Sequence, residues 1–270
     1  MSGGGASPTI LDVRSEATFA AGHAPGAVNI PAKELAARAH ELPPKGATID
    51  VFDDDPDVLA IAAYVLRNRG YVVREVSLYP AELRESGPSW ARLWQPSPFL
   101  VEAVECIRPR VGTALFGGLA LDLACGSGCD AAYLALAGYQ VEAIDVLPDA
   151  LERARDLARR SGVAVETIQQ DLTASPVLPA ERYDLVAVIR FVHRPLLAAI
   201  RQAIVPGGFV VYEAFHRSDV EDSRRALKPG HTLEDGELAA AFEDFKLLIV
   251  RDGLKRDGRV FSQLLARRRG

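Results

Sequence analysis

The run Leu121-Asp122-Leu123-Ala124-Cys125-Gly126-Ser127-Gly128, with Asp145 seventeen residues past the last glycine, combines residue types that can hold a nucleoside. The apolar residues up to Ala124 fit a buried parallel strand. Gly126 and Gly128 let the backbone turn closely past a ligand, and Asp130 to Leu136 begins a helix whose N-terminus faces it. Asp145, at the end of the next strand (Gln140 to Ile144), is placed to accept hydrogen bonds from ribose hydroxyls.

Dinucleotides and S-adenosylmethionine (SAM) both use this layout. Gly126-x-Gly128-x-x-Ala131 satisfies the relaxed dinucleotide fingerprint, with an acid at about the expected distance, so spacing alone leaves NAD open. Three features favour SAM. Asp122, inside the strand, suits the cationic amino group of a methionine moiety and repels a pyrophosphate. The chain after the glycines suffices for one doubly wound sheet but not for a dinucleotide half plus a substrate domain. Finally, Phe245 to Val250 and Arg259 to Ala266, joined by residues 251–258, read as an antiparallel hairpin at the edge of a parallel sheet.

From about Leu93 onward these pieces resemble a class I SAM-dependent methyltransferase. Asp122 to Gly128 stands as the first motif, spanning Asp122, Ala124, Gly126 and Gly128, and Asp145 as the ribose-binding acid. Gln170-Asp171-Leu172 resembles the segment after the third strand, whose acid contacts the adenine amino group. Tyr183 to Val188 resembles the fourth strand, with Ile189 at its cofactor end, and Val205 to Tyr212 resembles the turn and fifth strand. Within the class, Arg190 to Leu196 and Tyr212-Glu213-Ala214-Phe215 are most similar to the small-molecule branch that includes tellurite-resistance-type enzymes. The resemblance implies SAM as cofactor, with Asp122, Ala124, Gly126, Gly128, Asp145, Asp171, Leu172 and Ile189 around it.

Methyl transfer from a sulfonium is an in-line displacement, so the protein must mainly align donor and acceptor and exclude water. A soft anion such as a thiolate or selenide is already nucleophilic, and cationic side chains at the mouth help to capture it. Arg190, His193 and Arg194 follow the fourth strand, at the ligand-binding ends of a parallel sheet. With Tyr212 they form the candidate catalytic set. Three of the four have a plainer reading: Arg194 pairing with a carboxylate, His193 as a hydrogen-bonding loop residue, Tyr212 as packing. Cys125 fits as filler beside the glycine turn and Cys129 as an inert helix residue. Residues 217–235 are charged and read as a specificity loop over the crevice.

The preceding part of the chain has a different pattern. Strands at Ile10 to Val13, Ile49 to Phe52 and Val72 to Val76 alternate with helices at Glu16 to Ala21, Asp57 to Asn68 and Ala81 to Glu85, a small separate α/β unit. Leu11-Asp12-Val13-Arg14, Phe19 and Gly22-His23-Ala24-Pro25-Gly26-Ala27-Val28-Asn29-Ile30-Pro31 closely resemble the opening of a rhodanese domain, over roughly Thr9 to Gly87. That family's sulfur transfer needs a cysteine after the strand ending in Phe52, and here Asp53 stands there, within Asp53-Asp54-Asp55-Pro56-Asp57. A carboxylate cannot carry sulfane sulfur, so the resemblance implies an inactive fold. The acids read as helix caps, with a divalent cation site or a partner surface as alternatives.

The expected architecture is therefore α/β: a Rossmann-like, doubly wound, mostly parallel sheet with a C-terminal antiparallel hairpin, preceded by a small rhodanese-like α/β domain. The expected division is 1–89 and 90–270, joined by a stiff Trp- and Pro-containing connection. With 270 residues, 49% hydrophobic content and a formal charge of −5, there is ample core for two domains, and neither part has a basic surplus for nucleic acid. No run reaches membrane-span length, Met1 to Ala6 lacks signal-peptide features, and three cysteines without metal-ligand spacing suit a reducing compartment, so the cytoplasm is expected. The partner is a small-molecule substrate, without nucleic acid, membrane or metal. Two rival functions stay open: a SAM-fold sensor without turnover, and an NAD-linked oxidoreductase.

Overall fold

Alternating apolar runs and helical stretches produce two sheets in the computed structural model, which describes residues 10–111, 118–218 and 229–270. Met1 to Ala6, Thr9 and the middle of the expected 217–235 loop lie outside the described residues. The chain divides into compact units Met1–Gln95 and Pro96–Gly270. That division falls a little after the expected join at Ser89, because Leu93 is buried in the first unit's core with Leu11, Leu35 and Leu59.

The first unit comprises β1 (Ile10–Asp12), α1 (Glu16–Ala21), β2 (Val28–Asn29), β3 (Thr48–Phe52), α2 (Pro56–Asn68) and β4 (Val72–Val76). Its four strands are all parallel, in the order β2-β1-β3-β4. The helix expected over Ala81 to Glu85 is only a 3-10 turn, Ala81–Leu83. Glu85 is taken by an antiparallel bridge in which its backbone exchanges both hydrogen bonds with His23.

The second unit runs α3 (Pro98–Val111), β5 (Leu119–Leu123), α4 (Cys129–Leu136), β6 (Gln140–Asp145), α5 (Pro148–Arg160), β7 (Glu166–Gln169), β8 (Tyr183–Ile189), α6 (Leu197–Ala203), β9 (Ile204–Phe215), α7 (Glu237–Ala241), β10 (Lys246–Arg256) and β11 (Arg259–Arg267). The sheet order is β10-β11-β9-β8-β5-β6-β7, parallel except where β11 pairs antiparallel with β9 and β10. This is the expected doubly wound sheet. Strand order reverses between β5 and β8, and the crevice outside their carboxyl ends is where such sheets bind ligands. No helix among the described residues is long and apolar enough to cross a membrane.

The hairpin is longer than the sequence suggested. Residues 251–256, expected as a connection, belong to β10, and the turn is only Asp257-Gly258, both at positive φ (52° and 71°), the two-residue turn that matches strand twist. Bulges, one containing Gly253 at φ 68°, interrupt the pairing and hide the alternation of side chains.

That length brings Arg256 back over the sheet. Glu213 on β9 is fully buried, and Arg256 grips it with two hydrogen bonds of 2.8 and 2.9 Å while Gln263 donates at 2.6 Å. Removing one partner of a buried pair leaves an uncompensated charge, which costs about 3–5 kcal/mol. Arg256→Ala is expected to lower the denaturation midpoint of the full chain, followed by circular dichroism, and Glu213→Gln to lower it less. An unchanged midpoint in Arg256→Ala would mean that this carboxylate is not held as an ion.

Candidate cofactor and acceptor site

The strand ends first create backbone demands. Asp145, at the last position of β6, accepts the Gly126 N–H at Oδ2 and the Leu147 N–H at Oδ1, both at 2.9 Å. The Cys125 N–H donates to the Ile144 carbonyl, so the turn after β5 is tied to β6 at adjoining residues. Gly126 sits at φ 54° with nothing within 4 Å of where a Cβ would stand, leaving its face open. Gly128 differs. Its φ is 80°, and a Cβ there would lie 2.5 Å from the Ala154 Cβ on α5. The sequence reading gave both glycines to ligand approach; Gly128 also serves the packing of α5 against the turn.

Three acids surround this turn. Asp122 is buried, receives the Ala131 N–H, and has no hydrogen-bond partner at Oδ2. Burial, together with the charges of Asp130 and Asp145, holds its carboxyl well above the usual range. Asp130, in the first turn of α4, accepts the Ser97 N–H at 2.6 Å. Burial pushes it up to about 6, opposed by the Ser97 N–H and Arg190 and reinforced by Glu213. Among the described residues, Asp122, Asp130 and Asp145 form no ion pair. Arg190 offsets Asp130 only in part, so the site stays acidic, which suits a cationic group and repels a pyrophosphate.

The remaining expected cofactor residues divide by location. Ala124 (φ 57°) and Arg190 (φ 60°) hold left-handed backbone just past β5 and β8, on either side of the strand-order reversal. Such strained positions cluster at functional sites. Ile189 is half-buried at the end of β8. Asp171 is exposed; its Oδ1 accepts the Thr173 N–H and hydroxyl and the Ala174 N–H, bonds that pull its carboxyl below the usual range. Leu172 was expected at the cofactor, but its side chain lies in the core with Leu178 and Ile144, because the Asp171 turn directs it inward.

Of the candidate catalytic set, two side chains are already engaged. Tyr212 is 1% exposed, and its hydroxyl donates to the Phe191 carbonyl at 2.9 Å. It holds the segment after β8 rather than facing a substrate. Arg194 pairs with Glu237 of α7 at 2.7 Å and donates to the Thr232 carbonyl, which is the plainer of its two readings. Arg190 remains exposed with its guanidinium out of any ion pair among the described residues, and His193 Nε2 has no hydrogen-bond partner. Sequence reasoning missed the role of Asp130, which reads as an ordinary acid in a helix's first turn, and of Ser97. The Ser97 hydroxyl donates to Glu213 at 3.1 Å, a link across 116 positions that no local pattern announces. Burial and the nearby acids push the Cys125 thiol up, away from thiolate chemistry.

In the first unit, the loop after β3 carries caps as expected. Asp55 caps α2 by accepting the Asp57 and Val58 N–H groups, and Asp53 accepts the Asp55 N–H. Asp54 pairs with Arg14 and Arg84, and Asp12 with Arg14. Among the described residues no cluster of His, Cys, Asp and Glu could hold a metal ion.

A glycine turn pinned by a strand-end acid, at the strand-order reversal of a doubly wound sheet with a terminal antiparallel hairpin, defines a methyltransferase-type α/β domain. Residues 120–208 match the family model of a methyltransferase domain, and residues 1–81 match that of a rhodanese-like domain. The chain thus carries a SAM-dependent methyltransferase domain preceded by a rhodanese-like domain, and the dinucleotide alternative falls. The protein UNK4.09 of Schizosaccharomyces pombe is 26% identical over 96% of this chain and 93% of its own length, across both units. Ubiquinone biosynthesis O-methyltransferase of Salmonella arizonae is 32% identical over 38% of this chain, which spans 45% of that relative. TehB from Haemophilus influenzae shares the fold at TM-score 0.51 and 22% identity, over 63% of this chain and 61% of its own.

The two glycines should separate in experiment. Gly128→Ala forces Ala154 to move and strains the backbone, for a loss of about 1–3 kcal/mol. Gly126→Ala meets nothing and is expected to cost about 1 kcal/mol, while weakening cofactor binding. Denaturation midpoints and S-adenosylhomocysteine titrations of both variants check this; equal destabilisation would contradict the packing role.

Proposed function

We propose that this chain transfers the methyl group of SAM to a small nucleophile of the thiol or chalcogen-anion class, in the small-molecule branch that its sequence resembles. The observation that carries this reading is the group of acids at the glycine turn, none of them in a salt bridge, beside the exposed Arg190, which acts on Asp130 through space but is in no salt bridge among the described residues. The acids suit the cationic amino group of the cofactor's methionine moiety, and the arginine suits an anionic acceptor. Asp145 retains acceptor capacity for ribose hydroxyls after its two backbone bonds, Asp171 keeps Oδ2 for the adenine amino group, and Ala124, Gly126 and Ile189 line the approach.

When bound, SAM supplies an electrophilic methyl on a positive sulfur. Asp122, Asp145 and Asp171 would hold it there, and it would supply that methyl to the acceptor with S-adenosylhomocysteine as the second product. Arg190 captures and orients the acceptor. His193, with Nε2 uncommitted, takes the proton where the acceptor arrives as a thiol. Arg194 and Tyr212 are positioning residues: their bonds to Glu237, Thr232 and Phe191 fix the segment carrying Arg190 and His193. In this reading residues 1–89 are a rhodanese-like module without sulfur transfer and 90–270 the methyltransferase module, working in the cytoplasm.

Transfer of labelled methyl from SAM to a panel of thiols, selenide and oxygen acceptors tests the assignment. Arg190→Ala is expected to raise KM for an anionic thiol about tenfold or more with a smaller change in kcat. Turnover confined to oxygen acceptors, as the name of the Salmonella relative implies for that enzyme, would overturn the acceptor class. Cofactor binding with no turnover at all would leave the sensor reading.

The acids make a separate prediction about the cofactor. Below about 6 Asp130 gains a proton and the site loses negative charge, so affinity for the ammonium group that SAM and S-adenosylhomocysteine share falls as pH drops through that value. Titration with S-adenosylhomocysteine from neutral to acid pH should show this step, and Asp130→Asn should flatten it. Asp145→Asn is expected to weaken binding about tenfold, the ~1.4 kcal/mol of a hydrogen bond to a charged group. An affinity indifferent to both changes would remove these carboxylates from the cofactor site.

A further inference from the structure

We propose that the open cavity beside the Asp53 loop of the first unit binds a small organic cation, a primary alkylammonium carried on a short apolar stem. The cavity measures about 540 Å³, with Val13, Pro31, Ala32 and Val58 along its wall. Asp53 lines it, and is only 7% exposed. Its one hydrogen bond is from the Asp55 N–H to Oδ1, so Oδ2 is uncommitted.

The neighbouring charges are committed elsewhere. Arg14, also lining the cavity, uses Nε and Nη2 on Asp12, Nη1 on Asp54, and Nη2 again on the Gly22 carbonyl. Arg84 is held by Asp54, and Asp55 by the start of α2. Asp53 thus carries the one negative charge in the wall that no guanidinium answers and no helix cap uses. A buried carboxylate without a cation is costly, and the start of α2 offsets only part of that cost.

Ligand class follows from sign and donor count. An anion would meet Asp53, Asp54 and Asp55. A divalent metal needs several oxygens, and among the carboxylates lining the cavity only Asp53 Oδ2 and Asp55 Oδ2 are uncommitted, the latter on the residue that caps α2. A single ammonium needs one strong acceptor plus a place for its stem, which the apolar wall provides. Lys33 stands exposed at the rim, and is the rival occupant within the chain.

The test uses the full chain with labelled valine methyls and n-butylammonium as the probe. Saturable shifts of the Val13 and Val58 methyls are expected in the wild type, with none from n-butanol, and an affinity reduced about tenfold or more in Asp53→Asn. No saturable binding, equal binding of n-butanol, or undiminished binding in folded Asp53→Asn would overturn the proposal. Binding that emerges only in Lys33→Ala would also overturn it, by making Lys33 the occupant. Should Asp53→Asn fail to fold, the comparison of n-butylammonium with n-butanol on the wild type decides alone. Methyl-transfer activity is not the readout, so this site stands or falls independently of the acceptor assignment.

Discussion

Asp145 is the anchor on which the second unit's site depends. One carboxylate satisfies two backbone N–H groups, Gly126 in the turn after β5 and Leu147 just ahead of α5, and so clamps neighbouring strand ends together. Without it, two peptide donors in a half-buried turn would lack an acceptor. The Cys125 to Ile144 bond and the approach of Gly128 to Ala154 secure the same junction from either side. The turn is therefore set before any ligand arrives, and binding need not bear the cost of ordering it.

Fixing the turn this way concentrates negative charge, which shapes the rest of the unit. Asp130 and Asp145 lie close enough to Asp122 to add to the effect of burial in raising its proton affinity, and burial and Glu213 raise that of Asp130. Glu213 adds a further acid, but it is neutralised: Arg256 and Gln263 reach it from the hairpin, and Ser97 from the start of α3. The C-terminal hairpin consequently supplies the cation for a charge buried in β9. Ser97 joins both acid sets, giving its N–H to Asp130 and its hydroxyl to Glu213.

The legible parts of this chain were those written in local patterns. Strand, glycine turn, helix and strand-end acid fall within twenty-five positions, from Leu121 to Asp145, and each has its own signal in residue type and spacing. The rhodanese-like opening was legible for the same reason. Contacts made at long range were not: nothing beside Ser97 points to Glu213, and nothing beside Arg194 points to Glu237. The approach of Gly128 to Ala154 was not legible, because a glycine at positive φ looks alike whether a ligand or another side chain stands opposite it. The hairpin was read short because its bulges break the alternation that marks a strand, although Asp257-Gly258 was available as a turn signal.

Both units end a parallel strand in acids and begin a helix soon after, yet counting acids would mislead in each. A strand-end carboxylate serves the backbone first, because turn and helix-start N–H groups are obligatory donors at fixed distance. At Asp55 that service, the Asp57 and Val58 N–H groups, takes the one oxygen seen in a bond; at Asp54 two arginines take both. At Asp145 each oxygen holds one backbone bond and keeps one acceptor position, and at Asp122 one oxygen has no partner. What a strand end can offer a ligand is the remainder after these internal bonds are made. That remainder, unlike the number of acids, depends on which donors the fold brings within reach.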